Sequence, residues 1–403
     1  MSGSLAALLG RLYSEPAPAA VRARARLLIL DTLGCALAAL SHPRVRALGA
    51  SLDDRGAFLA TAACWDEACE GLPSAHGRPG VPVIAACVAR GMSGNQTLKT
   101  LLDAVVTGYE VGGRMGARLR IKPGMHVDAS WPSLGVAAAV ARLLGGSPAV
   151  AQAAIEIAAA QIPFSLYLPV AQGADARNTY LGHAAWLGAY AAQCALAGVE
   201  APRGAVDEFA KLALGGTGAP LDLPGHVILD GYIKPFAAVR HVHYGALAAL
   251  RLLPRIGRLG EVKRIALSIY PEAITYCGNR APGAPIQAQF SLSFGVAAAL
   301  RFGRLDADAY RAPAFDDPEL RRLEALVAIS SHGRDARDAT LEVDGLRETV
   351  DSIPMSDAEA EAKFLRNASA ELGEARAREM ADALLRRPEE QPLETVFKEG
   401  LPA

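Results

Sequence analysis

What this sequence has least of is aromatic side chains, 6% of 403 residues, and strand-like alternation, which is almost missing before residue 260. With few rings to pack and recurrent Ala-Ala-Ala runs, its apolar content (51% hydrophobic) reads as alanine-rich helices that approach one another closely. An excess of charge of either sign is absent too: 41 Lys and Arg stand against 42 Asp and Glu, for a net charge of −1. That balance removes the general electrostatic case for a nucleic-acid partner. The six cysteines include no Cys-x-x-Cys pair and are too scattered for a disulfide framework or a zinc ribbon. Cys64, Cys69 and His76 make only a weak ligand set, so no metal is expected. No Gly-x-Ser-x-Gly elbow occurs, and Gly215-Gly216-Thr217-Gly218 follows no strand, so the serine-hydrolase and nucleotide-loop signals both fail. The N-terminus lacks a basic start and a long apolar core, which argues against a secretory signal. The uncharged stretch 178–199 is long enough to raise the membrane question, yet it carries Asn178, Thr179, His183 and Gln193. It suits a buried helix better, and a cytoplasmic protein with no membrane partner is expected.

Helical periodicity is present at 18–40, 81–90, 97–119, 132–144, 149–161, 181–197 and 243–253, with Gly- and Pro-rich loops between. In the first of these, Asp31 interrupts the apolar side and Gly34 allows a close crossing. The pattern then changes. Val262–Tyr270 alternates like a strand, 287–302 and 317–329 read as amphipathic helices, and 339–343 with 347–350 form a hairpin around Asp344-Gly345. Ser356 is a candidate N-cap for charged helices running to Leu385. The expected fold is mainly α: a large all-helical domain over 1–255, a smaller α+β domain over 256–352, and C-terminal helices over 353–403 that return to the first.

Polar residues in apolar or glycine-rich surroundings mark where chemistry could sit, because a buried charge needs a partner. Four clusters stand out. They are Trp65-Asp66-Glu67 with Glu70 and 74–80; Lys122 to His126 running into Ser130-Trp131-Pro132; Asp175 to Asn178; and Lys234-Pro235-Phe236 with Arg240 to Tyr244. Each lies near the start of an Ala-rich helix, where free backbone N–H groups suit an anion. His241 and His243 are two apart and share no helix face, which argues against a two-histidine metal clamp.

The run Gln287-Ala288-Gln289-Phe290-Ser291-Leu292-Ser293-Phe294-Gly295-Val296-Ala297 resembles a signature of the MmgE/PrpD family. Leu30-Asp31-Thr32-Leu33-Gly34, Gly108-Tyr109-Glu110-Val111, 134–139 and Lys234-Pro235-Phe236 support the likeness, which spans about 18–350. Its members include 2-methylcitrate dehydratases, cis-aconitate decarboxylases and an iminodisuccinate epimerase. The resemblance implies a large helical domain with an α+β lid, a homodimer, a small-molecule carboxylate substrate, and, as in the dehydratases and decarboxylases, no cofactor.

Carried over by position, the family pattern points to Asp66, His76, His126 and Lys234 as proton-handling or charge-stabilising residues. It retains His243, departs at Ala68, Cys69 and Val239, puts Arg177 where a lysine stands, and puts Phe294 where a tyrosine stands. On this reading Arg177 and Arg240 hold substrate carboxylates, with His241, His243 and Phe294 also lining the substrate site. His126 is the general base or acid, and Asp66 and His76 form a second proton-handling pair. An arginine cannot serve as a base near neutrality but clamps a carboxylate well. The leading expectation is a cofactor-independent lyase, a dehydratase acting next to a carboxylate. An epimerase, isomerase or decarboxylase of a di- or tricarboxylate is the alternative, and a catalytically impaired ligand-binding member the third.

Overall fold

The computed structural model of the chain describes residues 2–94, 96–216, 221 and 224–397. Thr217 and Gly218 of the glycine run lie outside them. Helices form where the periodicity places them, at Ala19–Ala39, Gly80–Met92, Leu98–Arg118, Pro132–Leu143, Pro148–Ala159, Tyr180–Leu196 and Arg240–Leu252. Ser2–Ser14, Pro43–Ser51 and Arg55–Cys64 are helical as well, which the pattern does not announce. The last starts on a local device, the Asp54 carboxylate accepting from the Ala57 N–H at 2.8 Å.

Small residues set how closely the helices approach. Leu98–Arg118 runs antiparallel to Pro132–Leu143, and a Cβ on Gly108 would lie 2.8 Å from the Gly135 carbonyl oxygen. No side chain fits at that crossing, and the pair holds the intervening polar loop at its open end. Asp31 and Gly34 are both explained by the helix Asp357–Leu372. A Cβ on Gly34 would meet the Phe364 ring at 3.0 Å, while Lys363 neutralises Asp31 at 2.6 Å inside the core. That C-terminal helix begins on a capping box of Ser356 and Glu359, and with Glu374–Leu385 it shares the large hydrophobic cluster of the N-terminal helices.

A second cluster gathers Val170 and residues between Phe236 and Val350. Two-residue strands β1 (Met125–His126) and β2 (Ser165–Leu166) pair with each other in the helical part. The second cluster holds a four-stranded sheet of β3 (Ile265–Ile269), β4 (Val327–Ser331), β5 (Ala339–Val343) and β6 (Leu346–Val350), in the order β4-β3-β5-β6. Only the β3–β4 pair is parallel. The β5–β6 turn places Asp344 and Gly345 at φ 45° and 90°, the two left-handed positions a tight hairpin requires.

Two sequence expectations need correction. The helix expected over 287–302 is broken into Pro285–Ala288 and Leu292–Phe302, because the Ser291 hydroxyl accepts from the Phe294 N–H at 3.2 Å and starts a new helix. The helix expected over 317–329 stops at Leu326, and Val327 onward joins the sheet beside β3, where β-branched side chains pack well. The helix Arg240–Leu252, grouped by sequence with the helical part, packs into the second cluster. Among the described residues no helix is long and apolar enough to cross a membrane; Tyr180–Leu196 is instead largely packed into the helical core.

Candidate active site

A cavity of about 420 Å³ opens between the two hydrophobic clusters, lined by the segments around 67–78, 116–128, 167–177, 232–241 and 272–290, and by Arg337. Local geometry delivers each side chain. The turn Lys122-Pro123-Gly124-Met125 closes with the Met125 N–H donating to the Lys122 carbonyl at 3.1 Å. Gly124 sits at φ 85°, the left-handed position of a type II turn after proline. His126 follows on β1, opposite Ser165, whose hydroxyl donates to the His126 carbonyl at 3.0 Å.

At the floor of the cavity a ring of alternating charges is buried. Glu67 Oε2 accepts from Arg78 Nη1 at 2.6 Å and is ion-paired with Arg177 Nη2, and Glu67 Oε1 accepts from Lys234 Nζ at 2.6 Å. Asp128 Oδ2 accepts from Arg78 Nη2 and lies 3.5 Å from Arg177 Nη2. Burial alone would raise the Glu67 carboxyl, but Arg177, Arg78 and Lys234 outweigh it and hold it well below its ordinary value. Asp128 is likewise lowered against its burial, chiefly by Arg78. Two carboxylates thus face three cations. Glu67 itself stands at φ 55°, a left-handed conformation costing a non-glycine residue about 1–3 kcal/mol, so the surrounding contacts must enforce it.

Burial pushes the His126 imidazole down to about 4, Arg177 and Arg78 acting in the same sense and Asp128 opposing. It is neutral near pH 7. The Asp128 N–H donates to its Nδ1 at 3.2 Å, so Nε2 carries the proton. His126 is therefore a hydrogen-bond donor through Nε2.

Of the residues singled out from sequence, His76, His126, Arg177, Lys234, Arg240 and His241 line this one cavity; Asp66, His243 and Phe294 do not. The expected Asp66–His76 pair does not form. The Asp66 carboxylate is 2.8 Å from His42 Nε2 and 3.6 Å from Arg311, while His76 Nδ1 faces Glu272 at 3.9 Å. His243 Nε2 is bonded to the Ala238 carbonyl at 2.9 Å, and Phe294 stacks on Tyr310 in the smaller core. Both are packing residues here. Arg177 is more committed than expected of a substrate clamp: besides its ion pair with Glu67 it donates to Cys64 Sγ at 3.2 Å and to Asn178 Oδ1 at 3.3 Å. Cys64 and Cys69 lie beside Arg177 and Arg78, and among the described residues no three His, Cys, Asp or Glu side chains are grouped to hold a metal ion.

Sequence reasoning missed the hub, Glu67, together with Arg78, Asp128 and Glu272. Glu67 and Arg78 fell within the marked cluster, but nothing in sequence shows that they meet Asp128. The outer wall adds Arg120, Glu272 and Arg337, the last two paired at 3.0 Å, and Arg240, which lies over the Tyr232 ring at 4.2 Å. Arg240 Nη1 is buried with no hydrogen-bond partner among the described residues, as is Asp128 Oδ1.

One expected anion site is filled from within. Glu70 Oε1 accepts from the Gly80 and Val81 N–H groups at 2.8 and 3.3 Å, capping the helix that was to offer them. Burial raises the Glu70 carboxyl to about 7 against those bonds. A carboxyl raised on folding stabilises fully below its ordinary 4.5 and loses that contribution as pH climbs through about 7. Relative to a Glu70→Gln variant, the wild type is expected to lose about 3 kcal/mol between pH 4 and pH 8. Parallel urea titrations at the two pH values test this; an identical pH dependence for both proteins would refute it.

The architecture and cavity define a helical protein with an appended α+β unit and a cation-rich pocket between their cores. Residues 54–214 match the MmgE/PrpD N-terminal domain and 236–350 the MmgE/PrpD C-terminal domain. The chain belongs to the MmgE/PrpD family, a family of dehydratase and lyase type whose members are generally enzymes. No curated protein matches the chain.

Proposed function

We propose that the protein is a cofactor-independent lyase that dehydrates a small di- or tricarboxylate. The observation that supports this most directly is the charge of the cavity. Six cations (Arg78, Arg120, Arg177, Lys234, Arg240 and Arg337) face three carboxylates (Glu67, Asp128 and Glu272). That surplus suits a substrate carrying two or three negative charges. Arg240 and Arg120 hold carboxylates toward the mouth, and the floor cations, Lys234 foremost, stabilise charge developing beside the carbon that loses its proton. His76, half-exposed and lowered from its ordinary value by burial and by Arg120, takes that proton as a neutral base. His126 Nε2–H donates a hydrogen bond to the departing hydroxyl, the His76 imidazolium gives that hydroxyl the proton it has taken so that it leaves as water, and the electrons of the broken C–H bond become the new C=C bond. Both bonds break heterolytically between side-chain acids and bases.

Proton NMR of a panel of di- and tricarboxylates incubated with the enzyme in deuterated water tests the reading. An unsaturated product is expected. Deuterium exchange without one would replace the dehydratase by an epimerase or isomerase, release of carbon dioxide by a decarboxylase, and no turnover at all by a ligand-binding protein.

We further propose that the protein is a homodimer joined through the outward face of Tyr180–Leu196. His183, Trp186 and Tyr190 stand in line there, the Trp186 and Tyr190 rings stacked with centroids 5.6 Å apart and each residue 45% exposed. Large exposed apolar groups in one patch favour association. Light scattering is expected to show a dimer for the wild type and a monomer for Trp186→Glu; equal masses would exclude this face.

A further inference from the structure

The strained turn that carries Glu67 is gripped from two sides. Lys234 Nζ donates to the Glu67 carbonyl at 2.9 Å, and Lys363 Nζ donates to the next carbonyl, that of Ala68, at 2.6 Å. Lys363 comes from Asp357–Leu372, outside both segments that match the family domains. It is buried, and it also donates to Asp31 Oδ1 at 2.6 Å. If Lys363 served only to neutralise Asp31 between two packed helices, nothing would require its ammonium to reach a carbonyl of the cavity loop. In the left-handed φ of Glu67 its carboxylate meets Arg78, Arg177 and Lys234 while its carbonyl accepts from Lys234.

We propose that Lys363 is a positioning residue of the active site: by holding the Ala68 carbonyl it keeps Glu67 in its strained conformation and so keeps the three floor cations in place. Asp31 is the second acceptor of the same ammonium. The C-terminal helix is then part of the catalytic apparatus, although it contributes no residue to the cavity wall. The inference rests on the proposed function only for the reaction served; the clamp itself is a statement about the 66–71 turn.

Amide hydrogen exchange on the full chain reads the clamp directly, since the Glu67 and Gly71 N–H groups are bonded to the Cys64 and Tyr232 carbonyls. Calorimetric binding of tricarballylate, an unreactive tricarboxylate, reads the cavity. In an Asp31→Asn/Lys363→Met variant the 66–71 amides are expected to exchange at least about tenfold faster, and the dissociation constant to rise by a similar factor, the loss of one charge-assisted hydrogen bond. Exchange in 19–39 and 357–372 stays as in the wild type, and Lys363→Arg, which restores a charged donor, keeps both properties. Unchanged 66–71 exchange in the double variant, loss confined to the two helices, or equal loss in Lys363→Arg would overturn the proposal. Should the double variant not fold, Asp31→Asn alone decides. It leaves the Lys363 to Ala68 bond, which the proposal makes sufficient, so 66–71 exchange is expected to be retained, and a tenfold acceleration there would count against the clamp. Failure of the wild type to bind tricarballylate would remove the tricarboxylate reading of the cavity while leaving the exchange measurement to judge Lys363.

Discussion

His126→Ala is expected to lower turnover by at least about a hundredfold, the usual loss when a hydrogen-bond donor to an oxygen that gains negative charge is removed, with the fold intact. The side chain lies against Tyr167 and Tyr180, whose rings fill much of the space around it, so its truncation leaves the loop supported by the β1–β2 pair. Its role has a distinct pH signature. Because burial lowers the imidazole from 6.5 to about 4, its protonation state is constant across neutral pH, and its ionisation touches the rate only as pH falls toward 4. The same shift has a stability consequence of definite sign. The unfolded chain takes up a proton near 6.5 that the folded one resists until about 4, so stability is lost as pH drops through that interval. Turnover by His126→Ala within a few-fold of wild type would remove this residue from the mechanism.

Glu67→Gln is expected to cost about 3–5 kcal/mol of folding stability, the range found when one member of a buried ion network is neutralised. The reason is arithmetic of charge. Arg78, Arg177 and Lys234 all point at this carboxylate, and Asp128 alone cannot balance them. The glutamine keeps the volume of the glutamate, so a fall in the urea midpoint reports electrostatics and not a cavity. A loss below about 1 kcal/mol, the size typical of an exposed pair, would mean that water or relaxation screens the floor and that Glu67 is not its hub.

Much of the scaffold was legible. The alanine-rich helices, the Asp344-Gly345 hairpin and the Ser356 cap are local consequences of periodicity, left-handed turn chemistry and capping, which neighbouring residues determine. Gly34 and Asp31 were readable as exceptions on an apolar face, though their partners Phe364 and Lys363, some 330 positions away, were not. One error fell where a distant partner decides and the other where a local cap overrides periodicity. Val327–Ile329 carries a helical pattern but pairs beside β3, and Ser291 breaks a continuous amphipathic pattern by competing for a backbone N–H.

The site divides along the same line. From the sequence alone came the family likeness, the mainly helical architecture and the placement of His76, His126, Arg177, Lys234, Arg240 and His241 among the residues that matter. Tertiary structure alone decided that these six meet in one cavity while Asp66 turns away to His42 and Arg311. It also decided that Glu67 and Asp128 hold the cations together, and which nitrogen of His126 bears the proton. Local order depends on residues a turn or two apart, whose interactions sequence spacing displays. Ion pairing, burial and tautomer depend on which groups share a space of low polarity, and only the folded chain establishes that.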